Sequence, residues 1–453
     1  MPLRLIVTYG RDFLVSPLQD RAMGGIQTAL LSMCTALARR GHDLHLFANC
    51  AEVGPHDGVH FHGRAEFARF TEVYRADVLI VVPELLSLLM PAWARARVVW
   101  TGNAFSTGDC ALTVPWVRSQ DRGSRRECAR LYPLSLLRAY IDRVVVGSRW
   151  QARHLAAASG IPEERFTVAY LGVPPEYYRG PGPARHRHRL VYTSQARRGL
   201  GEMLRLFPQV RAEIPDAELH IFGCEYGKAD APRDLGTVFP GALQPGICWR
   251  GAVNKSALAH ELRSAALMAY PCTFRETFCL AVAEAQAAGL PVVTSDKAAL
   301  AERVADGVDG FLIRGRPRQN PDYDAAFVRA VIRLLRDDDL WQRLGAEAAR
   351  KAHRLYDWDV IAAGWEEELA GISSAREPSV PRPDPALNLL DPCWLTMTEG
   401  RVTSRVPAAL ARQWLRQAWT SYGYGPDPIP GLPDEDGPGP KQRLETAANA
   451  LHP

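Results

Sequence analysis

Two glutamates inside an apolar frame are the residues of this chain best placed to do chemistry. They lie in Pro271-Cys-Thr-Phe-Arg-Glu276-Thr-Phe-Cys-Leu-Ala-Val-Ala-Glu284-Ala-Gln-Ala-Ala-Gly289-Leu-Pro-Val-Val-Thr294. The pattern predicts a strand ending near Pro271, a loop carrying Glu276, and a helix that starts near Phe278 and contains Glu284. A new strand follows Gly289-Leu-Pro. A helix N-terminus presents free backbone N–H groups and a positive dipole end, which suit phosphate oxygens. Ionised carboxylates accept hydrogen bonds from sugar and ribose hydroxyls. Two glutamates at such a spacing are ordinarily solvated; the strand–loop–helix frame turns the reading toward a nucleoside diphosphate. Arg197-Arg198 point the same way, because arginine at a helix start is unfavourable unless an anion is present. Gly24-Gly25, between the first strand and the first helix, can let backbone approach a phosphate where no side chain fits.

The elements that must position these residues are readable in outline. Apolar runs at Leu3–Thr8, Asp43–Phe47, Val78–Val82, Arg97–Thr101 and Arg143–Gly147 alternate with helical patterns such as Ile26–Arg40, which Gly41 ends. Strands apolar on both faces belong to a parallel sheet covered by helices on both sides. Residues 174–188 are rich in proline and glycine and read as a linker. A second series follows: Leu190–Thr193, a helix over Gly201–Glu213, Glu218–Phe222, a strand near Ile247–Arg250, a helix over 255–265, Leu267–Pro271, a helix over 279–288 and Pro291–Thr294. Two such halves leave a cleft at the carboxyl ends of their strands, where ligands sit. Residues 353–371 read as one helix, and Val406–Trp419 as an amphipathic helix between proline-rich stretches.

Composition narrows the function. The chain has 453 residues, 47% hydrophobic and 23% charged, which is ordinary globular composition for two or three domains. A net charge of +4 does not suggest a nucleic-acid binder. Nine scattered cysteines without a Cys-x-x-Cys pair suit reduced thiols. The start runs directly into a strand, with no apolar leader pattern, so a cytoplasmic location is expected. The Arg-rich run Arg118–Arg130, with Leu131-Tyr132 after it, can meet an anionic acceptor or the inner membrane face; a solvated helix face is the plainer reading. Asp337-Asp338-Asp339 sits between two helical patterns, where aspartate is an ordinary cap, and no metal site is expected. Gly223-Cys-Glu-Tyr-Gly-Lys228 has the wrong spacing for a phosphate-binding Walker loop.

With these pieces in order, the sequence resembles retaining glycosyltransferases of family 4, whose mark is a Glu-x7-Glu motif matched by Glu276 and Glu284. Gly289-Leu-Pro-Val-Val-Thr-Ser, Asp306-Gly-Val-Asp-Gly-Phe-Leu, Gly24-Gly25, Arg40-Gly41-His42, Ser148-Arg-Trp-Gln151, Tyr170-Leu-Gly-Val173 and Arg197-Arg198-Gly199-Leu200 complete the series over roughly residues 1–371. The resemblance implies an α/β GT-B enzyme, two Rossmann-like domains facing across a cleft. Residues 1–173 would form the acceptor domain, 189–352 the nucleotide-sugar domain, 353–372 a helix crossing back to the first domain, and 373–453 a proline-rich C-terminal extension. It also implies that Gly24, Gly25, Arg197, Arg198, Glu276, Thr277, Phe278, Cys279 and Glu284 bind a nucleoside diphosphate sugar. Arg198 would sit on the diphosphate, Glu276 on the donor sugar and Glu284 on the ribose. Three departures stand out. Cys279 replaces a usual glycine, Thr193-Ser194-Gln195 replaces a usual second arginine, and Asn103 replaces a frequent histidine near the sugar. Asn103 can hydrogen-bond a hydroxyl but cannot take a proton.

The expected reaction is metal-independent sugar transfer to a small-molecule, glycan or lipid-linked acceptor, with Glu276, Arg198 and Asn103 at the reacting centre. No cofactor beyond the donor substrate is expected. Two alternatives stay open. A sugar-nucleotide epimerase or hydrolase of the same architecture needs an acid–base residue that the sequence does not locate. A non-catalytic partner subunit is suggested by Asn103 and Cys279.

Overall fold

The computed structural model describes residues 1–13, 24–50, 52–82, 85–102, 109–113, 126–133, 138–223, 243–382, 394–398, 401–405, 408–425, 429 and 432. Asn103, most of the Arg118–Arg130 run and the Gly223–Lys228 segment beyond Gly223 lie outside the described residues.

The strands before residue 174 are β1 (Arg4–Phe13), β2 (Asp43–Cys50), β3 (Gly54–His56), β4 (Val59–Gly63), β5 (Arg75–Val82), β6 (Trp93–Thr101), β7 (Asp109–Thr113), β8 (Arg126–Pro133), β9 (Arg143–Val146) and β10 (Phe166–Val168). After it come β11 (Arg189–Tyr192), β12 (Glu218–Phe222), β13 (Ile247–Gly251), β14 (Leu267–Tyr270), β15 (Val292–Ser295), β16 (Gly310–Ile313), β17 (Trp394–Thr398) and β18 (Arg401–Arg405). The first sheet runs β10-β9-β6-β5-β1-β2-β4-β3, and the second runs β13-β12-β11-β14-β15-β16. Every pair in both sheets is parallel except the β3–β4 hairpin at one edge. The reason is in the strands. Val78, Leu79, Ile80, Val81 and Val82 are all buried, which requires cover on both faces.

Helices supply that cover. Gly25–Arg39 turns Leu30, Leu31, Cys34 and Leu37 into the core of the first sheet. Trp358–Ser373 lays Trp358, Ile361, Ala362, Trp365 and Leu369 into the same core, with Trp365 edge-on to Trp100 at 5.1 Å between ring centroids. The chain therefore returns to the first sheet after finishing the second.

Three readings of the sequence need correction. The single helix over 353–371 is two: one helix is Asp338–Leu355, and the next begins at Trp358. Asp357 makes the break by accepting a hydrogen bond from Asp359 N at 2.9 Å, an N-cap at the start of the second helix. Val173 N donates to Tyr356 O at 2.7 Å, which fastens the end of the first half to this break. Residues 126–133 are a strand rather than a helix face, and pair in the antiparallel sheet β18-β17-β8-β7 with a segment of the C-terminal extension. The amphipathic helix of that extension spans Ala408–Ser421, displaced by two residues from the expected range, and Leu415, Trp419 and Tyr422 join the core of the first sheet.

A histidine chain sits near the free edge of the first sheet. His45 Nδ1 and His62 Nε2 share a hydrogen bond of 2.8 Å, and the outer nitrogens reach Asp43 Oδ1 at 3.1 Å and Glu66 Oε2 at 3.3 Å. Phe47, Phe70 and Tyr74 pack around them. Burial, the largest effect at both sites, pulls His45 down to about 4 and also lowers His62. The unfolded chain therefore binds more protons than the folded one between the ordinary imidazole value of about 6.5 and the folded value. Stability should hold above pH 6.5 and fall as pH drops toward 4. Urea unfolding across that window checks this, and His45→Gln should flatten the slope; an unchanged slope refutes the assignment.

Candidate functional site

Close backbone packing puts the arginine beside the glutamate. Gly199 has φ +138°, and a Cβ there would lie 2.3 Å from Pro271 O, so only glycine lets the turn after β11 meet the end of β14. Thr273 N then donates to Arg198 O at 3.0 Å. The result is an ion pair between a partly exposed arginine and a buried glutamate. Arg198 Nη1 donates to Glu276 Oε1 at 2.8 Å and Oε2 at 2.9 Å, and Tyr270 OH donates to Oε1 at 2.7 Å. Glu276 is only 3% exposed. Burial, reinforced by the Glu276 charge, pushes the Tyr270 phenol well above its ordinary value, so it remains a donor. Arg198 also lies over the Phe274 ring, 4.6 Å from its centroid. Arg197 does not join this pair; it is exposed, and its Nε donates to Gln195 Oε1 at 3.0 Å.

The second glutamate is buried too. Glu284 lies inside the helix Leu280–Ala287 and accepts from Lys255 Nζ at 2.5 Å. Lys255 opens the helix Lys255–Ser264, which Asn254 caps through Ala257 N at 2.8 Å. Neither Lys255 nor Tyr270 figured in the sequence reading. Lys255 follows the carboxyl end of β13, the usual ligand end of such a sheet, and that position is the signal that could have found it.

Between the glutamates the backbone makes a turn that glycine would normally supply. Cys279 has φ +73° and ψ +77°, a left-handed conformation costing a side-chain-bearing residue about 1–3 kcal/mol. This turn delays the helix to Leu280, two residues later than the expected start at Phe278. Burial drives the Cys279 thiol well above its ordinary value, which makes it a poor nucleophile. Phe278 is 1% exposed, and its ring faces Tyr170, Tyr356 and the guanidinium of Arg303 rather than an open pocket.

The first half of the chain reaches this turn directly. Thr277 Oγ1 donates to Gly102 O at 2.7 Å, at the carboxyl end of β6. A Cβ at Gly25 would lie 3.9 Å from Leu280 Cδ2, so the start of the first helix faces the start of Leu280–Ala287. Gly24 immediately precedes that first helix. Glu302 accepts from Arg149 N at 3.0 Å and Trp150 N at 2.6 Å, capping the helix Arg149–Ser159 from the other half. Gln151 anchors the same corner: its Nε2 donates to Thr101 O at 3.0 Å and its Oε1 accepts from Gly147 N at 2.8 Å. The structure thus gathers Gly24, Gly25, Thr277, Cys279 and the Arg198–Glu276 pair along one crevice.

Two parallel, helix-covered sheets with such a crevice between their strand ends constitute the GT-B fold. Residues 23–177 match the model of Glycosyltransferase Family 4, and residues 187–337 match that of Glycosyl transferases group 1. The chain is 35% identical over 388 residues to a phosphatidyl-myo-inositol mannosyltransferase of Mycobacterium tuberculosis, covering 77% of this chain and 94% of that one. It is 30% identical over 235 residues to the Mycolicibacterium smegmatis enzyme of the same name, covering 50% of this chain and 58% of that one. A sucrose-phosphate synthase from Thermosynechococcus elongatus shares the fold with a TM-score of 0.60 at 16% identity, over 82% of this chain and 100% of that one. The chain belongs to glycosyltransferase family 4. Among the described residues, no helix is long and apolar enough to cross a membrane.

Two substitutions test this geometry. Arg198→Ala leaves a buried carboxylate short of its main donor and should cost about 1–3 kcal/mol in denaturant unfolding, the lower end reflecting the arginine's partial exposure. Cys279→Val places a β-branched residue at positive φ and should lower stability by more than about 1 kcal/mol, whereas Cys279→Gly should fold normally. Equal unfolding midpoints for the valine and glycine variants contradict the strain argument.

Proposed function

We propose that this enzyme transfers a sugar from a nucleoside diphosphate sugar to an acceptor hydroxyl with retention at the anomeric carbon. The observation that carries the proposal is Glu276 itself. Its oxygens are held by Arg198 and Tyr270 and are almost closed to solvent, so it suits the orientation of a donor sugar and not attack on one. A retaining enzyme without a side-chain nucleophile can proceed by departure of the diphosphate and attack of the acceptor on the same face. Arg198 and the start of Leu280–Ala287 would stabilise the charge on the leaving phosphate without a metal ion. Glu284 would take the ribose hydroxyls, with Lys255 exchanging part of its contact for the ligand. Residues 189–352 would carry the donor and residues 1–173 the acceptor, with Asn103 positioning a hydroxyl. Residues 174–188 would link them, and the extension over 373–453 would bear on the acceptor side. Similarity to mycobacterial phosphatidyl-myo-inositol mannosyltransferases supports a lipid-linked acceptor, which this enzyme would meet at the inner membrane face.

Calorimetric titration with a panel of nucleotides and nucleotide sugars, including mannose donors, tests the donor site. One nucleotide series should bind, chelator should not change its affinity, and Glu284→Ala should weaken it by at least about ten-fold, the loss of a charge-assisted contact. Absence of binding by every member refutes the donor site. With an inositol-bearing lipid in the acceptor panel, NMR of the product should show the donor's anomeric configuration; an inverted product rejects retention.

A further inference from the structure

The edge strand of the second sheet carries a donor set that sugar transfer does not use. Among the described residues β13 pairs only with β12, and His220 is the register partner of Cys248 across that pair. Arg189 and Glu218 are register partners on the neighbouring pair, so these side chains share one face of the sheet. A carboxylate oxygen of Glu218, a ring nitrogen of His220 and the sulfur of Cys248 all lie within 4.8 Å of one another. His220 Nε2 is 3.2 Å from Glu218 Oε2. His220 is 4% exposed, and its Nδ1 has no hydrogen-bond partner among the described residues; Glu261 Oε2 is 4.0 Å away. An imidazole buried in a sheet between Leu219 and Ile221 with one nitrogen unpaired is costly unless something uses it.

We propose that Glu218, His220 and Cys248 bind one divalent ion of the zinc class. The donor types decide the class: thiolate and imidazole with a single carboxylate favour zinc over magnesium or calcium, which take mainly oxygen ligands. Nε2 ligates the ion, and Nδ1–H turns toward Glu261, the carboxylate–imidazole–metal arrangement that orients such ligands. Arg250 Nη2 holds Glu261 at 2.6 Å, and Arg189 Nε lies 3.4 Å from Glu218 Oε2, so the two carboxylates are already partly balanced. Binding therefore depends on the sulfur, whose proton goes to solvent as the metal–sulfur bond forms. Glu218 opens β12 and the cluster lies toward the amino ends of the strands, away from the crevice at their carboxyl ends. The ion would pin an edge strand and take no part in the transfer.

The test uses the full chain, reduced and stripped of metal, titrated with Co²⁺ and then Zn²⁺. One ion should bind per chain with an intense sulfur-to-cobalt absorption band that Zn²⁺ removes. Cys248→Ser should abolish the band and weaken binding by more than about ten-fold. Glu218→Gln should keep the band and weaken binding, and nucleotide affinity should be unchanged in both variants. Wild-type protein that binds neither ion overturns the proposal, and the cluster is then only a network of hydrogen bonds and ion pairs. A Cys248→Ser protein with the wild-type band overturns it as well, by assigning the metal to another thiol.

Discussion

Burying a carboxylate is costly unless hydrogen-bond donors meet it, and Glu276, 3% exposed, is met by Arg198 and Tyr270. The donors come from separate places. Tyr270 ends β14, and Arg198 ends the turn after β11, brought close because Gly199 packs against the carbonyl of Pro271. The loop between Glu276 and the following helix must then reverse tightly, which puts Cys279 in a left-handed conformation. Charge satisfaction, backbone contact and backbone strain are three aspects of one local arrangement.

The same loop joins the halves. Thr277 reaches Gly102, while Glu302 caps the helix Arg149–Ser159 across the crevice. Arg303, fully buried, lies 4.0 Å from the ring centroid of Tyr170, 4.6 Å from that of Phe278 and 5.7 Å from that of Tyr356. Tyr170 stands between β10 and β11 and Tyr356 at the break before Trp358–Ser373, so the arginine sits where the chain crosses between halves twice. The aromatic faces add cation–π attraction to an ion pair in which Arg303 Nη2 lies 3.7 Å from Glu302 Oε2.

Local periodicity and punctuation made much of the fold legible. Val78–Val82 shows its burial by being apolar throughout, and Gly41 shows the helix stop before β2. Glu276 and Glu284 were found because their frame switches from strand to loop to helix within a few residues. The frame did not reveal what each carboxylate touches. Lys255 and Tyr270 are ordinary in type and gain meaning only from distances of 2.5 and 2.7 Å to carboxylates. One misread segment has a purely non-local cause. Residues 126–133 form a strand through pairing with residues 394–398, and no local window contains that partner.

The sequence by itself determined the two parallel sheets, the order of their strands along the chain and the apolar frame that carries the glutamates. These follow from side-chain period, β-branching and the placement of glycine and proline, all local properties. Tertiary structure decided that Arg198 serves Glu276 while Arg197 faces solvent, and that Lys255 serves Glu284. It also set His220 beside Glu218 and Cys248. Those outcomes depend on which strands lie side by side and which backbones can touch, and such contacts span separations that local patterns do not encode.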